Sequence, residues 1–285
     1  MIENNDQNLR QIVDMLLLNG TLTECPGLVH GKTGIAVFFF HYARYTDNML
    51  FSDYAIDLIG EMQNQIHAYS SADYEKGIAG IGVGIDYLVQ NNFLVPEEDL
   101  CEDFDERMVR AVMYEPWLDF SQYDGLTGFG RYWISRLRYP TPSVKAQECL
   151  WHIVGLIKER LPDIPEKEQT DVYCLLYNLQ QMPGFEMCAK LLKQLQNRDL
   201  QSMDVSRSFS RLGDSFVGNV ARMYQRNRYF GDAIQDETDN ALKQIPDLDM
   251  ETAPTNTGLL IGYAGEGLLR LAALKQADFS WINLL

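Results

Sequence analysis

The sequence predicts an all-α protein built as an α/α toroid, a double ring of about six helical hairpins. Its inner helices are each led by a Gly-x-x-Gly turn. Three observations predict this. Gly31-Lys32-Thr33-Gly34 feeds an apolar stretch, and the signature returns at Gly77-Ile78-Ala79-Gly80, Gly125-Leu126-Thr127-Gly128 and Gly262-Tyr263-Ala264-Gly265. The first three copies begin at 31, 77 and 125, and the last begins 137 residues further on, about three periods of 46. A fixed period of that length marks a repeat architecture. No Val/Ile/Thr-rich alternating run demands a sheet.

The elements follow in order. Ile12, Val13, Leu16 and Leu17 give residues 7–19 one apolar helical face. Cys25-Pro26-Gly27 is a loop, and the first glycine-led helix runs over 34–46. Asp47-Asn48 breaks it, and Leu50, Tyr54, Leu58, Met62 and Ile66 mark a second helix over 49–68. The second glycine helix covers 78–91. Pro96-Glu97-Glu98-Asp99 starts the next, since Pro suits a first turn and acids suit its positive end. That helix ends near Tyr114. The third glycine helix covers 126–138, and its partner covers 143–160. The signature then fades. Thr170-Asp171 stands where copy four begins and has no glycine, so one of the two is expected to cap a helix there. Residues 184–196 are its partner. Copy five, Ser208 to Gly218, keeps glycines in altered spacing, a helix over 231–244 follows, and copy six ends the chain. Six glycine or glycine-like helices thus alternate with six amphipathic ones, which reads as a single domain over 1–285. In such a ring the inner N-termini gather at one mouth, where unpaired N–H groups give a partly positive field.

Composition narrows the function. The 40 acidic residues outweigh 24 basic ones, for a net charge of -16. Such a chain is a poor general binder of nucleic acid or anionic membrane. No apolar run reaches the ~18 residues of a membrane span. The start, Met1-Ile2-Glu3-Asn4-Asn5-Asp6, lacks the basic and apolar regions of a signal peptide. Five widely spaced cysteines with no Cys-x-x-Cys read as reduced thiols, so the expected location is cytoplasmic.

The repeats carry a resemblance. Gly27-Leu28-Val29-His30-Gly31-Lys32-Thr33-Gly34, Gly77-Ile78-Ala79-Gly80-Ile81-Gly82, Asp124-Gly125-Leu126-Thr127-Gly128 and Gly258-Leu259-Leu260-Ile261-Gly262-Tyr263-Ala264-Gly265 resemble the lanthionine synthetase C-like (LanC-like) family over residues 27–274, weakly between 165 and 230. The resemblance implies an α/α toroid, usually of seven hairpins. It also implies, for the family's cyclases, a zinc ion held by two Cys and one His that activates a peptide thiol for thioether formation. Soft thiolate suits zinc, and bound thiols lose their proton. The sequence departs from that ligand set. No cysteine follows Cys188, no Cys-His pair exists, and copy five offers no Cys. The expectation is therefore a LanC-like protein without a zinc site or other cofactor, which binds a peptide or protein partner in its central bowl as an accessory to peptide modification.

The residues singled out lie near the predicted mouth. His30 precedes Gly31 as the family's ligand histidine precedes its glycine, but Val29 stands where the Cys belongs, so His30 and Lys32 read as polar groups at the rim. Cys25 and His30 are close enough in sequence to approach across Pro26-Gly27. Glu75, Asp124, Asp171, Asp214 and Glu266 sit at or near inner-helix starts. Carboxylates paired across a cleft serve carbohydrate hydrolysis, which supplies a second reading, an enzyme acting on a carbohydrate or peptide. Carboxylates that cap N–H groups supply a third, purely structural one. Tyr123 and Tyr263 are rim aromatics. Arg207 and Arg211, one helical turn apart, suit a carboxylate or phosphate. A zinc cyclase with other ligands is a further alternative.

Overall fold

The structure, a computed structural model, describes residues 2–95, 99–117, 119–138, 144–198, 209–231, 235–248, 256–274 and 279–285. It is all-helical, with no strand among those residues beyond one isolated bridge between Thr257 and Gly262. The α-helices are α1 (Ile2–Asn19), α2 (Lys32–Thr46), α3 (Met49–Gln63), α4 (Ile78–Gln90), α5 (Glu102–Met113), α6 (Leu126–Arg138), α7 (Val144–Arg160), α8 (Glu166–Leu179), α9 (Met187–Arg198), α10 (Phe216–Phe230), α11 (Gln235–Lys243) and α12 (Tyr263–Ala273). A 3-10 turn over Phe279–Leu284 follows.

Sequence sets which helices go inside. In α2 every residue from Lys32 to Ala43 is buried, and α4, α6 and α8 are buried nearly all round. A helix apolar on all sides must be covered on all sides. The remaining helices bury one stripe, such as Ala55, Leu58, Ile59 and Met62 of α3. Each glycine-led helix, and α8 in the fourth place, packs on the helix after it: α2 on α3, α4 on α5, α6 on α7, α8 on α9 and α10 on α11. The last, α12, has no following helix among the described residues and packs instead on α1, so the two ends of the chain share one hairpin. Among the glycine-led helices α2 touches α4, α4 touches α6, α6 touches α8, and α12 touches both α10 and α2. Between α8 and α10 aromatic side chains bridge the gap, with Tyr177 on Tyr229 and Tyr173 on Phe230 at centroid distances of 5.3 and 5.0 Å.

Glycine is required at these turns for close approach. A Cβ on Gly80 would lie 1.9 Å from the Tyr74 carbonyl oxygen, and one on Gly265 would lie 1.8 Å from that of Leu259. The same contact, from a carbonyl six residues upstream, recurs at Gly34, Gly128 and Gly218. The loop before each helix therefore folds back so that its carbonyl occupies the space of a side chain. Copy five obeys the rule although its first glycine is lost. Ser215 stands there, and its hydroxyl accepts from the Gly218 N–H at 3.0 Å as an N-cap.

The loops are also tied to one another. Leu259 N–H donates to Val29 O (2.8 Å), Val29 N–H to Glu75 O (3.2 Å), and Tyr74 N–H to Tyr123 O (2.8 Å). Gln122 N–H donates to the Asp171 carboxylate at 2.8 Å. Asp171 pairs with Arg211, and Ser215 Oγ donates to Leu260 O at 3.0 Å, which returns the circuit to its start.

Several boundaries shift from expectation. Helix α8 begins at Glu166, so Thr170 and Asp171 lie inside it and cap nothing at its start. Helix α3 ends at Gln63, five residues early. Gly231, in left-handed conformation, ends α10, and α11 begins at Gln235, where one helix over 231–244 was expected. The Pro96 start and residues 139–143 lie outside the described residues. The first N–H group of four glycine-led helices is used locally: Lys32, Ile78, Leu126 and Tyr263 N–H groups donate to Cys25, Ser71, Asp119 and Asn256 carbonyls.

The carbonyl contact separates two kinds of glycine. Gly80→Ala is expected to lower stability by at least about 2 kcal/mol, because the methyl group meets backbone. Gly60→Ala, in α3 with nothing within 4 Å, is expected to raise it by about 0.5–1 kcal/mol. Thermal denaturation followed by circular dichroism measures both.

Candidate functional site

The loop face holds the first group of predicted residues. His30 Nε2 lies 3.0 Å from Glu75 Oε1, and Lys76 Nζ lies 3.8 Å from Glu75 Oε2. Burial lowers the His30 pKa, with Lys76 acting the same way and Glu75 opposing. Burial first, and then the charges of Glu75, Asp73 and Asp119, push the neighbouring Asp124 carboxyl up. The capping role falls to other acids. Asp73 Oδ1 accepts from Lys76 and Gly77 N–H, and Asp119 Oδ1 from Ser121 N–H. Cys25 is half-buried with its thiol pushed up by burial; its charged neighbours are Lys76, Asp73 and Glu75, while His30 bonds Glu75.

The structure separates the other predicted residues. Lys32 is buried and reaches α3, where Nζ meets Glu61 Oε2 at 2.5 Å, so it does not line a mouth. Tyr263 is core at 1% exposure. Glu266 lies 3.8 Å from Arg270 one turn along α12. Asp214 is exposed and 3.8 Å from Arg222. Tyr123 is buried, its ring stacked parallel to Tyr74 at 6.5 Å with Arg211 beside it. Arg211 lies on a 3-10 turn and already holds a carboxylate, that of Asp171, with a second bond to Gln225 at 2.9 Å. Arg207 lies outside the described residues. The five expected carboxylates thus do not share one cleft. Asp171 is sealed in the interior, where burial pushes its carboxyl up while Arg211 and the Gln122 N–H pull it back.

The open space lies elsewhere. A cavity of about 420 Å³ sits between the C-terminal halves of α4, α6, α8 and α10. Three arginines line it, Arg131, Arg138 and Arg228, together with the amides of Gln90, Asn91, Asn178 and Asn283 and one carboxylate, Asp86. Asp86 is 8% exposed and accepts from Gln90 Nε2 at 2.7 Å. Burial outweighs that bond and the nearby Arg138 and Arg136, and pushes the carboxyl up to about 6. Sequence reasoning passed over these residues, apart from Arg228, which belongs to a concentration of basic residues downstream of Arg211. One signal was present: Asp86 is the lone charged residue of the apolar α4.

The side of the cavity toward the loop face is filled by the chain itself. Trp281, Ile282, Leu284 and Leu285 are buried, and Tyr74 Oη donates to Leu284 O at 2.9 Å. The turn over 279–284 packs on α4 and α10.

Among the described residues no three His, Cys, Asp or Glu side chains gather to hold a metal. All five thiols are unpaired and pushed up by burial, Cys188 to about 11 and Cys149 to about 12, away from the thiolate that zinc needs. No described helix is long and apolar enough to cross a membrane.

Asp86 gives the site a pH signature. A folded pKa of about 6, above the usual 3.8, means that protonation favours the folded state. This contribution is full below pH 4 and is lost as pH rises through 6, worth roughly 3 kcal/mol across the range. Asp86→Asn should therefore stabilise the protein at pH 8 and gain little at pH 4. The difference in denaturation free energy between variant and wild type, measured across pH 4–8, checks this.

No known family model matches the chain, and neither does any curated protein.

Proposed function

We propose that the chain is a LanC-like α/α toroid, one domain of six hairpins, that has kept the ring and lost the zinc–thiolate site. It binds a peptide as a non-catalytic accessory to peptide modification, in a reducing, cytoplasmic setting suited to five free thiols. Three features support the ring. The loops form a closed hydrogen-bond circuit, the glycine-led helices touch in sequence, and α1 completes the hairpin of α12.

The cavity carries the binding reading. Its guanidinium and amide groups are donors for peptide carbonyls and carboxylates. Three arginines around one space, in a chain of net charge -16, concentrate positive potential where an anionic group would enter. Nucleophilic catalysis by thiol is disfavoured, since burial holds the thiols protonated.

Two outcomes are expected. Under native conditions Ellman's reagent should titrate Cys25 first and the four buried thiols only on unfolding. Short acidic peptides should bind the purified protein by calorimetry, equally well with and without a chelator and with no change in peptide mass. The double substitution Arg138→Gln/Arg228→Gln should weaken binding at least tenfold at unchanged melting temperature. Binding that requires stoichiometric zinc, or formation of a thioether, would sink this reading.

A second reading rests on the loop face. The His30–Glu75 contact beside the raised Asp124 carboxyl resembles the unequal carboxylates of a hydrolase. It requires turnover of a glycoside or peptide that Glu75→Gln and Asp124→Asn both abolish; the binding reading predicts no turnover in the wild type.

A further inference from the structure

Residues Phe279–Leu285 are held as a ligand would be held. Main-chain oxygens of three successive residues are each met by a side-chain donor of the body. Arg131 Nη2 donates to Asn283 O, Tyr74 Oη to Leu284 O at 2.9 Å, and Gln122 Nε2 to Leu285 O at 2.6 Å, with Arg131 Nη1 at 3.4 Å from the last. This differs from the joints between loops, which are mostly backbone to backbone. Side-chain donors on main-chain carbonyls bind a peptide whatever its sequence, while pockets for its side chains select among peptides. Here the selecting side chains are Trp281, Ile282, Leu284 and Leu285, all buried. Asn283 points to polar groups, Arg228 and Tyr224.

The fit is incomplete. Trp281 Nε1 is buried with no hydrogen-bond partner among the described residues. Beside the segment lies a void of about 20 Å³ lined by Gln122, Arg131, Asn283, Thr127 and Arg211, and Thr127 Oγ1 and Arg211 Nε there also lack partners. Unsatisfied buried donors weaken the hold of an occupant. The segment also walls the 420 Å³ cavity through Ser280, Asn283 and Leu284, so its departure would join the two spaces.

We propose that residues 279–285 are the resident occupant of a peptide site inside the fold. A partner peptide of the same chemistry, an aromatic residue followed by aliphatic ones with free main-chain carbonyls, exchanges with it. This rests on the peptide-binding function proposed above and specifies the peptide. A site masked by its own occupant binds more weakly in proportion to the unmasked fraction, so weakening the occupant should tighten binding.

The test uses the full chain and a synthetic heptapeptide, Phe-Ser-Trp-Ile-Asn-Leu-Leu, with a scrambled control. Deuterium uptake of residues 279–285, read by mass spectrometry, should rise saturably with the heptapeptide and not with the control. Asn283→Ala removes the Arg228 and Tyr224 contacts and leaves the apolar anchors; it should bind the heptapeptide at least tenfold tighter than wild type. Should that variant fold poorly, Ile282→Val, which trims one buried apolar anchor of the resident segment, serves in its place, with tighter binding again expected. Uptake that stays at the rate of the whole protein, with no binding by wild type or variant, overturns the exchange. If acidic peptides still bind through Arg138 and Arg228 in that event, the binding function stands alone; if they do not, both fall.

Discussion

The constraint on which the structure depends is a carbonyl oxygen lodged where a side chain would be. At Gly34, Gly80, Gly128, Gly218 and Gly265 the oxygen of the residue six positions earlier presses on the glycine. This contact fixes the direction of the loop relative to its helix. With the direction fixed, the loop's own N–H and C=O groups face the neighbouring loop, and the hydrogen bonds from Leu259 to Val29, Val29 to Glu75 and Tyr74 to Tyr123 follow. Any side chain at these glycines would rotate the loop and break two joints together. The first N–H groups of α2, α4, α6 and α12 are spent in the same way, on carbonyls of the preceding loop.

Copy four shows what the circuit tolerates. It has no glycine turn, yet the circuit is intact, because Asp171 supplies a carboxylate oxygen where its counterparts supply a main-chain carbonyl. The numbering makes the equivalence plain: Val29, Glu75, Tyr123 and Asp171 follow one another at 46, 48 and 48 residues. A buried carboxylate needs a counter-charge, and Arg211 from the next loop provides it. The weak middle of the sequence is thus a change of chemistry at a conserved position of the circuit, from amide oxygen to ion pair.

This marks what the sequence made legible. Glycine spacing reports a backbone contact, which is local and periodic, so the helical class, the helix order and the burial of α2, α4 and α6 were readable. Asp171 was read as a cap because its partner, 40 residues away, follows no period. Lys32 was read as a rim group because the turn of α2 that aims it at Glu61 is set by packing, and not by its neighbours in sequence. The cavity was missed for a related reason. Arg138 and Arg228 lie at helix ends where basic residues are ordinary, and only Asp86, the lone charged residue of the apolar α4, signals a space. The run Phe279–Leu285 falls outside the repeat, so no periodic argument reaches it.

The two faces of the molecule now differ in a way that bears on function. Toward the loop end charges meet their opposites at close range: Lys32 with Glu61 and Arg211 with Asp171 in the interior, and His30 with Glu75 on the loop face. On the opposite face Arg131, Arg138 and Arg228 meet a single carboxylate that burial drives toward its neutral form. Protonation of Asp86 would leave that cavity more positive, so an anionic ligand and a proton should favour each other there. Thermodynamic linkage makes this reciprocal: a bound anion should in turn raise the Asp86 pKa further.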